Sequence, residues 1–291
     1  MNCIKESRIK VTLGNLKVSF LSGCLAWIFF ITPHAHAERQ YTTINGSKGQ
    51  LLKVSHSNEW EPIDAGIAHK KIAIISGESF VQSVLTFVRL DPRRFSAKIL
   101  VEDEKDRGSG FFVRNLAEKT GATLIINGSY FDENRRPLGF LAGNGKTINK
   151  KIATNWIYSG VFYVKDGEPH QEPRTEFNKE LGAEQALQAG PQLFLEGKPV
   201  KKINNLHASY FRSGIGVTRD RQVLVFATDT RYGGISWFEL QQILELSVLN
   251  CFNAMNLDGG GSTQMALAAA EKKEFIDGTS KVPVAIGFFK K

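Results

Sequence analysis

Three apolar runs in this chain each stop at a polar residue set beside glycine or another small residue: Ile126-Asn127-Gly128-Ser129, Ala227-Thr228-Asp229 and Asn256-Leu257-Asp258-Gly259. If these ends meet on one edge of a sheet, they make a crevice holding two carboxylates, an amide and several hydroxyls. Such a set suits glycosyl or phosphoryl chemistry, in which one carboxyl group protonates a leaving oxygen and a second stabilises or attacks a sugar carbon. The third run passes straight into Gly259-Gly260-Gly261-Ser262-Thr263. Glycine there permits positive φ and close ligand approach, so the turn can cradle an anion through its N–H groups. The plainer readings are a tight turn at 258–261, a turn-capping role for Asp229 and a local Asx-turn at Asn127.

Arg212-Ser213 precedes the run Gly214 to Val217 and can clasp a phosphate or carboxylate in bidentate fashion, or stand as an ordinary exposed arginine. Tyr130-Phe131-Asp132 and Tyr210-Phe211 set aromatic faces beside these polar groups, although aromatic pairs also serve cores. His56, His69, His170 and His207 have no zinc-ligand spacing, and neither a Gly-x-Ser-x-Gly elbow nor a nucleotide-binding glycine loop is present. A hard divalent ion, Ca²⁺ or Mg²⁺, held by Asp229 and Asp258 is the one metal option the residue types allow.

The elements that must position these groups can be read from periodicity. Between Lys53 and Val101 apolar and polar residues often alternate, as in Ser83-Val84-Leu85-Thr86-Phe87-Val88-Arg89-Leu90, which predicts antiparallel strands. Phe112, Val113, Leu116 and Ala117 followed by Gly121 predict a helix over about 110 to 120. It leads into Leu124-Ile125-Ile126, a continuous apolar run of buried-strand type. Asn144-Gly145, Asp166-Gly167 and Glu196-Gly197 mark hairpins. Ser213 to Val217 and Val223 to Ala227 flank Arg219-Asp220-Arg221-Gln222 as another. Ser236 and Glu239 have capping-box spacing ahead of Phe238, Leu240, Ile243 and Leu244.

Residues 1 to 37 read as an export signal, with Lys5, Arg8, Lys10 and Lys17 ahead of an apolar core and Ala35-His36-Ala37 before a cut. Lipid attachment at Cys24 is the competing reading. Residues 38–291 then form one domain, exported to the periplasm or secreted. The apolar core of the signal is shorter than a bilayer span, and no later segment could cross a membrane. The formal charge of +8 falls to about +5 once four basic residues and Glu6 leave with the signal. Its lysine pairs at 70, 150, 201, 272 and 290 form no single block, which speaks against a nucleic-acid groove and suits a phosphate-bearing partner. Cys251, alone beyond the signal, excludes an internal disulfide.

At Ile126-Asn127-Gly128-Ser129-Tyr130-Phe131, Ala189-Gly190-Pro191-Gln192-Leu193, Arg212 to Val217 and Asn256 to Thr263, the chain resembles the phosphodiester glycosidase family, which includes the enzyme that uncovers mannose 6-phosphate on lysosomal hydrolases. The resemblance spans about residues 80 to 288. It implies cleavage of a sugar-1-phosphodiester within a single α/β domain, which we expect to be of α+β type, a mixed, hairpin-rich twisted sheet flanked by a few helices. Carried onto matching positions, it points to Asn127, Gly128, Arg212, Asp229, Asp258, Gly259, Gly260, Ser262 and Thr263. With Tyr130, Ser213 and Gly261 these are the expected site, Asp258, Asp229 and Arg212 its catalytic members. Ser129-Tyr130 departs from the common family pattern. The expected substrate is a phosphate-linked glycan of an envelope or exopolysaccharide polymer. The alternatives are a glycan-binding module without chemistry and a divalent-metal-dependent phosphodiesterase.

Overall fold

The computed structural model describes residues 38–102 and 108–291; the expected export signal and Cys24 lie outside the described residues. The described strands build three antiparallel sheets, and only two α-helices accompany them, Val113–Thr120 and Trp237–Leu244. This corrects the expected α/β fold with a mixed sheet: no parallel pair occurs among the described strands, and the molecule is β-rich. The misreading has a physical source. An unbroken apolar run reports burial on both faces, and parallel sheets are only one way to achieve it. Here the sheets are stacked, so antiparallel strands become two-sided as well.

The strand Val223–Thr228 shows this directly. Val223, Val225 and Ala227 join a core shared with Leu124, Ile126, Phe162 and Ile286 of the other two sheets, whereas Leu224 and Phe226 join a second core with Leu52, Ile72 and the helix residues Leu240 and Ile243. Alternate side chains of one strand thus fill two separate interiors. The short strand Leu124–Asn127 behaves alike: Leu124 and Ile126 face the central core, and Ile125 packs under Val113 and Ala117 of the first helix. That helix stops at Gly121, which takes φ 68°.

In the ten-stranded sheet the central order is Phe80–Leu90, Val223–Thr228, Ser213–Thr218, Cys251–Asn256 and Gln192–Leu195. The expected hairpins at 144, 166 and 196 all form, with positive φ at both central residues of each turn (51° and 71°, 52° and 75°, 49° and 76°). That geometry matches the right-handed twist of the flanking strands. Leu124–Asn127 lies at the middle of a separate five-stranded sheet, between Met265–Ala269 and Val284–Lys290. The described residues fall within one compact unit, Ala37–Lys291. No helix among them is long and apolar enough to cross a membrane.

The second helix starts at the expected capping box. Ser236 Oγ accepts from Glu239 N at 3.1 Å, and Glu239 Oε2 accepts from Ser236 N at 3.0 Å. Both residues are buried, and the hydroxyl of Ser47 donates to Ser236 Oγ while Ser47 N donates to Glu239 Oε1. Loss of the cap in Ser236→Ala is expected to cost about 1–2 kcal/mol. In a chain of this size that lowers the thermal midpoint by about 2–8 °C. An unchanged melting curve would show that the box contributes nothing.

Candidate active site

Asp258 stands two residues beyond the end of Cys251–Asn256, where the large sheet meets the five-stranded sheet carrying Asn127. Side-chain and backbone bonds lock this junction. Asn127 Nδ2 donates to the Asp258 carbonyl at 2.7 Å, Ser213 Oγ donates to the same carbonyl at 2.9 Å, and Asp258 N donates to Gly128 O at 3.1 Å. Asn127 Oδ1 accepts from Gln264 N at 3.1 Å, so both ends of the amide are used. Gly128 is required by the close approach: a Cβ there would lie 2.8 Å from Val284 Cγ1 and 2.9 Å from Val284 O. Two of the three expected strand ends are therefore bonded directly to each other.

The third strand end lies two strands along the same edge, with Thr228 N donating to Arg212 O at 2.8 Å, but its carboxylate does not enter the cleft. Asp229 is absent from the lining of the cleft into which Asp258 opens. Its Oδ1 accepts from Arg231 N and Nε at 3.1 and 2.9 Å, and its Oδ2 from Arg231 Nη2. Burial pushes this carboxyl up, but the hydrogen bonds and charge of Arg231 outweigh it and hold it below its ordinary value. This is the turn-capping geometry. Asp229, bonded through both oxygens to Arg231, does not share this cleft with Asp258. The described residues contain no group of three or more His, Cys, Asp or Glu placed to hold an ion.

The cleft has a volume of about 260 Å³ and is lined by Tyr130, Trp156, Asn205, Tyr210, Arg212, Trp237, Asp258, Gly259 and Gly260. Arg212 is 5 % exposed. Its Nε donates to Ile235 O at 3.2 Å and its Nη2 to Ala208 O at 2.7 Å, and its guanidinium lies 4.1 and 5.0 Å from the ring centroids of Trp237 and Tyr210. No carboxylate pairs with it among the described residues. Burial brings its pKa down to about 10, which still leaves it cationic at neutral pH. A desolvated cation served only by carbonyls and ring faces retains unused donors for an anion.

Asp258 is the carboxylate of this cleft. Burial raises its pKa to about 6, against the opposing hydrogen bonds from Ser262 and from the Gly259 N–H. The glycine turn is less open than expected, because Gly260 N is bonded to Phe211 O, Ser262 N to Gly259 O and Thr263 N to Gly260 O. These donors are already spent within the protein. Gly259 and Gly260 line the cleft. Gly261 does not; the Ser262 side chain faces Asp258, and Thr263 is wholly buried.

One wall is aromatic, and only part of it was foreseen. Tyr130 donates to Gly190 O at 2.6 Å, and Asn256 Nδ2 donates to the Tyr130 oxygen and to Gly190 O, both at 3.3 Å. Asn256 Oδ1 accepts from Trp237 Nε1 at 3.1 Å, and Trp156 stands edge-on to Trp237 at 5.9 Å between centroids. Burial and the neighbouring Asp258 charge raise the Tyr130 pKa, so the phenol stays protonated. Trp156, Asn205 and Trp237 were not expected in the site. A tryptophan placed directly after an N-cap, where a helix start meets a glycine turn, is the signal that could have drawn attention to Trp237.

A family model described as phosphodiester glycosidase matches residues 120–289, more than half of the chain. No match is found among curated proteins. Among solved structures, the chain is similar to the catalytic domain of the zebrafish N-acetylglucosamine-1-phosphodiester alpha-N-acetylglucosaminidase auto-inhibited by its pro-peptide, with a TM-score of 0.59 and 15% identity over 87% of this chain and 83% of that one. It is also similar to a hypothetical protein from Synechocystis, with a TM-score of 0.54 and 18% identity over 87% of this chain and 68% of that one. At such identities the likeness is one of fold.

The raised pKa of Asp258 carries a stability consequence of definite sign. A carboxyl whose folded pKa lies above its unfolded value costs nothing below about pH 4 and destabilises the fold as pH rises through about 6. Asp258→Asn removes that cost. The variant is expected to be more stable than the parent at pH 8, by up to about 3 kcal/mol, and of equal stability near pH 4. Thermal or urea unfolding at the two pH values checks this, and a variant less stable at pH 8 would contradict it.

Proposed function

The chain belongs to the phosphodiester glycosidase family, and from that premise we propose that it is a hydrolase that cleaves a sugar-1-phosphodiester, acting outside the cytoplasm after residues 1–37 have directed its export. The observation that carries the proposal is the cleft itself. The half-buried Asp258 and the buried Arg212, groups of opposite sign, face one cleft without forming an ion pair with each other. A glycosyl phosphodiester is complementary to that arrangement. Its phosphate meets the free donors of Arg212, and its sugar lies against Tyr130, Trp156 and Trp237.

The chemistry follows from the leaving group. When the bond between the anomeric carbon and the phosphate oxygen breaks, the electron pair departs on a phosphate, a stable anion that needs no proton. The second carboxylate that ordinary glycosidases use as acid is therefore dispensable, which agrees with the position of Asp229 outside the cleft. Asp258 acts in its ionised form at the anomeric carbon, as base toward water or as nucleophile, and Arg212 balances the charge gathering on the phosphate. The products are a free sugar and a phosphomonoester on the other partner.

Asp258→Asn is expected to lower kcat/KM on a sugar-1-phosphodiester by about 10²–10⁴-fold. Asp229→Asn, once shown to be folded, should keep most of the activity. Sugar release from a panel of such diesters measures both, and full activity of Asp258→Asn would remove the assignment. Binding of a glycan without release, in the parent protein across the panel, would favour the reading as a non-catalytic binding module.

The pH profile provides a separate check. Because the ionised carboxylate is the working form, activity should climb with pH through about 6. Ser262→Ala deletes a hydrogen bond that favours that form, so its acid limb should move to higher pH. A limb that falls with rising pH instead would make Asp258 the acid.

A further inference from the structure

We propose that the Asp258 cleft is one point on a longer basic surface that takes a polyanionic glycan, a polymer with an anionic group on repeating units; this rests on the reading of the cleft given above. The chain has lysine pairs at 70, 150, 201, 272 and 290. Three of them are engaged by the fold. Lys70 donates to Ser57 O and Glu59 O, Lys71 pairs with Glu274, Lys272 with Glu61, and Lys290 with Asp64. Lys150, Lys151, Lys201 and Lys202 are exposed and have no carboxylate partner among the described residues.

Both unpartnered pairs belong to segments that wall the cleft. Residues 144–160 hold Lys150 and Lys151 and continue to Trp156; residues 197–218 hold Lys201 and Lys202 and continue through Asn205 to Arg212. Neither segment contains an aspartate or glutamate. Lys150 and Lys151 lie five or six residues before Trp156, and Lys201 and Lys202 three or four before Asn205; the segment of Tyr130 sets Asp132 and Glu133 against Arg135 and Arg136, so the three lining segments together carry an excess of positive charge. A small monoester or diester would touch Arg212 alone. The outlying lysines fit a ligand with further negative charges along its length, drawn in by long-range attraction that salt weakens.

The test reads binding, not turnover, so that it can fail or succeed apart from the proposed reaction. Full-length protein carrying Asp258→Asn is titrated with phosphorylated dextran and with unmodified dextran over a range of salt. A second protein carries Lys150→Gln, Lys151→Gln, Lys201→Gln and Lys202→Gln in addition. A third carries Lys48→Gln, Lys179→Gln, Lys273→Gln and Lys291→Gln, an equal charge change outside the two segments, and melting curves confirm that all are folded. The expected result is salt-sensitive binding of phosphorylated dextran alone, weakened about tenfold in the second protein and much less in the third. Equal weakening in the second and third would reduce the effect to net charge and overturn the proposal, as would undiminished binding by the second. If binding behaves as expected while no sugar-1-phosphodiester is cleaved by the parent, the surface stands and the proposed reaction falls.

Discussion

The side chain of Asn127 is the joint on which the site depends. It is fully buried where two sheets meet, with its amide nitrogen on the Asp258 carbonyl and its oxygen on the Gln264 N–H. A buried amide of this kind gains little by being satisfied but costs about 1–3 kcal/mol for each partner left unsatisfied. The bond therefore acts mainly as a geometric constraint. It allows one relative placement of the two sheet edges, and the carboxylate of Asp258 is presented to the cleft from that placement. Gly128, with no room for a Cβ, completes the same contact.

Around that joint the electrostatics are arranged by withholding partners. Asp229 and Arg212 were equally plausible site residues, yet they have opposite fates. Asp229 is given Arg231 two residues later, and its carboxylate is neutralised on the spot. Arg212 is given carbonyl oxygens and two ring faces, which tolerate a cation without cancelling it. Asp258 likewise receives a hydroxyl and a backbone N–H in place of a cation. Desolvating charges without pairing them is unfavourable for folding. The fold sustains this because both groups stand at strand ends anchored in two large cores.

What could be read in advance follows the range of the interaction that decides it. The three hairpin turns, the capping box of Ser236 and Glu239, and the end of the first helix at Gly121 are decided within a few residues, and each lies where the local pattern put it. The meeting of Asn127 with Asp258 joins residues 131 apart, and it was inferred only from two strand ends sharing a polar-then-glycine pattern. The exclusion of Asp229 depends on how its turn is oriented, which no pattern of types reports. The sheet class was misread because Leu124-Ile125-Ile126 looks the same whether its second face is covered by crossover helices or by another sheet. Trp237, the first residue of the capped helix, bonds its indole N–H to Asn256 and becomes cleft wall.

The latch between the 45–50 turn and the second helix ties distant parts of the chain together. Ser47 contacts both members of the capping box, Asn45 exchanges hydrogen bonds with Gln242, and the first residue of the capped helix is Trp237. Opening of the first described hairpin would thus release the helix start and with it one wall of the cleft. In the language of hydrogen exchange, the amides of that hairpin and those of the helix's first turn are expected to open as one cooperative unit. The shape of the cleft is then as durable as the docking of a strand pair nearly two hundred residues earlier in the chain.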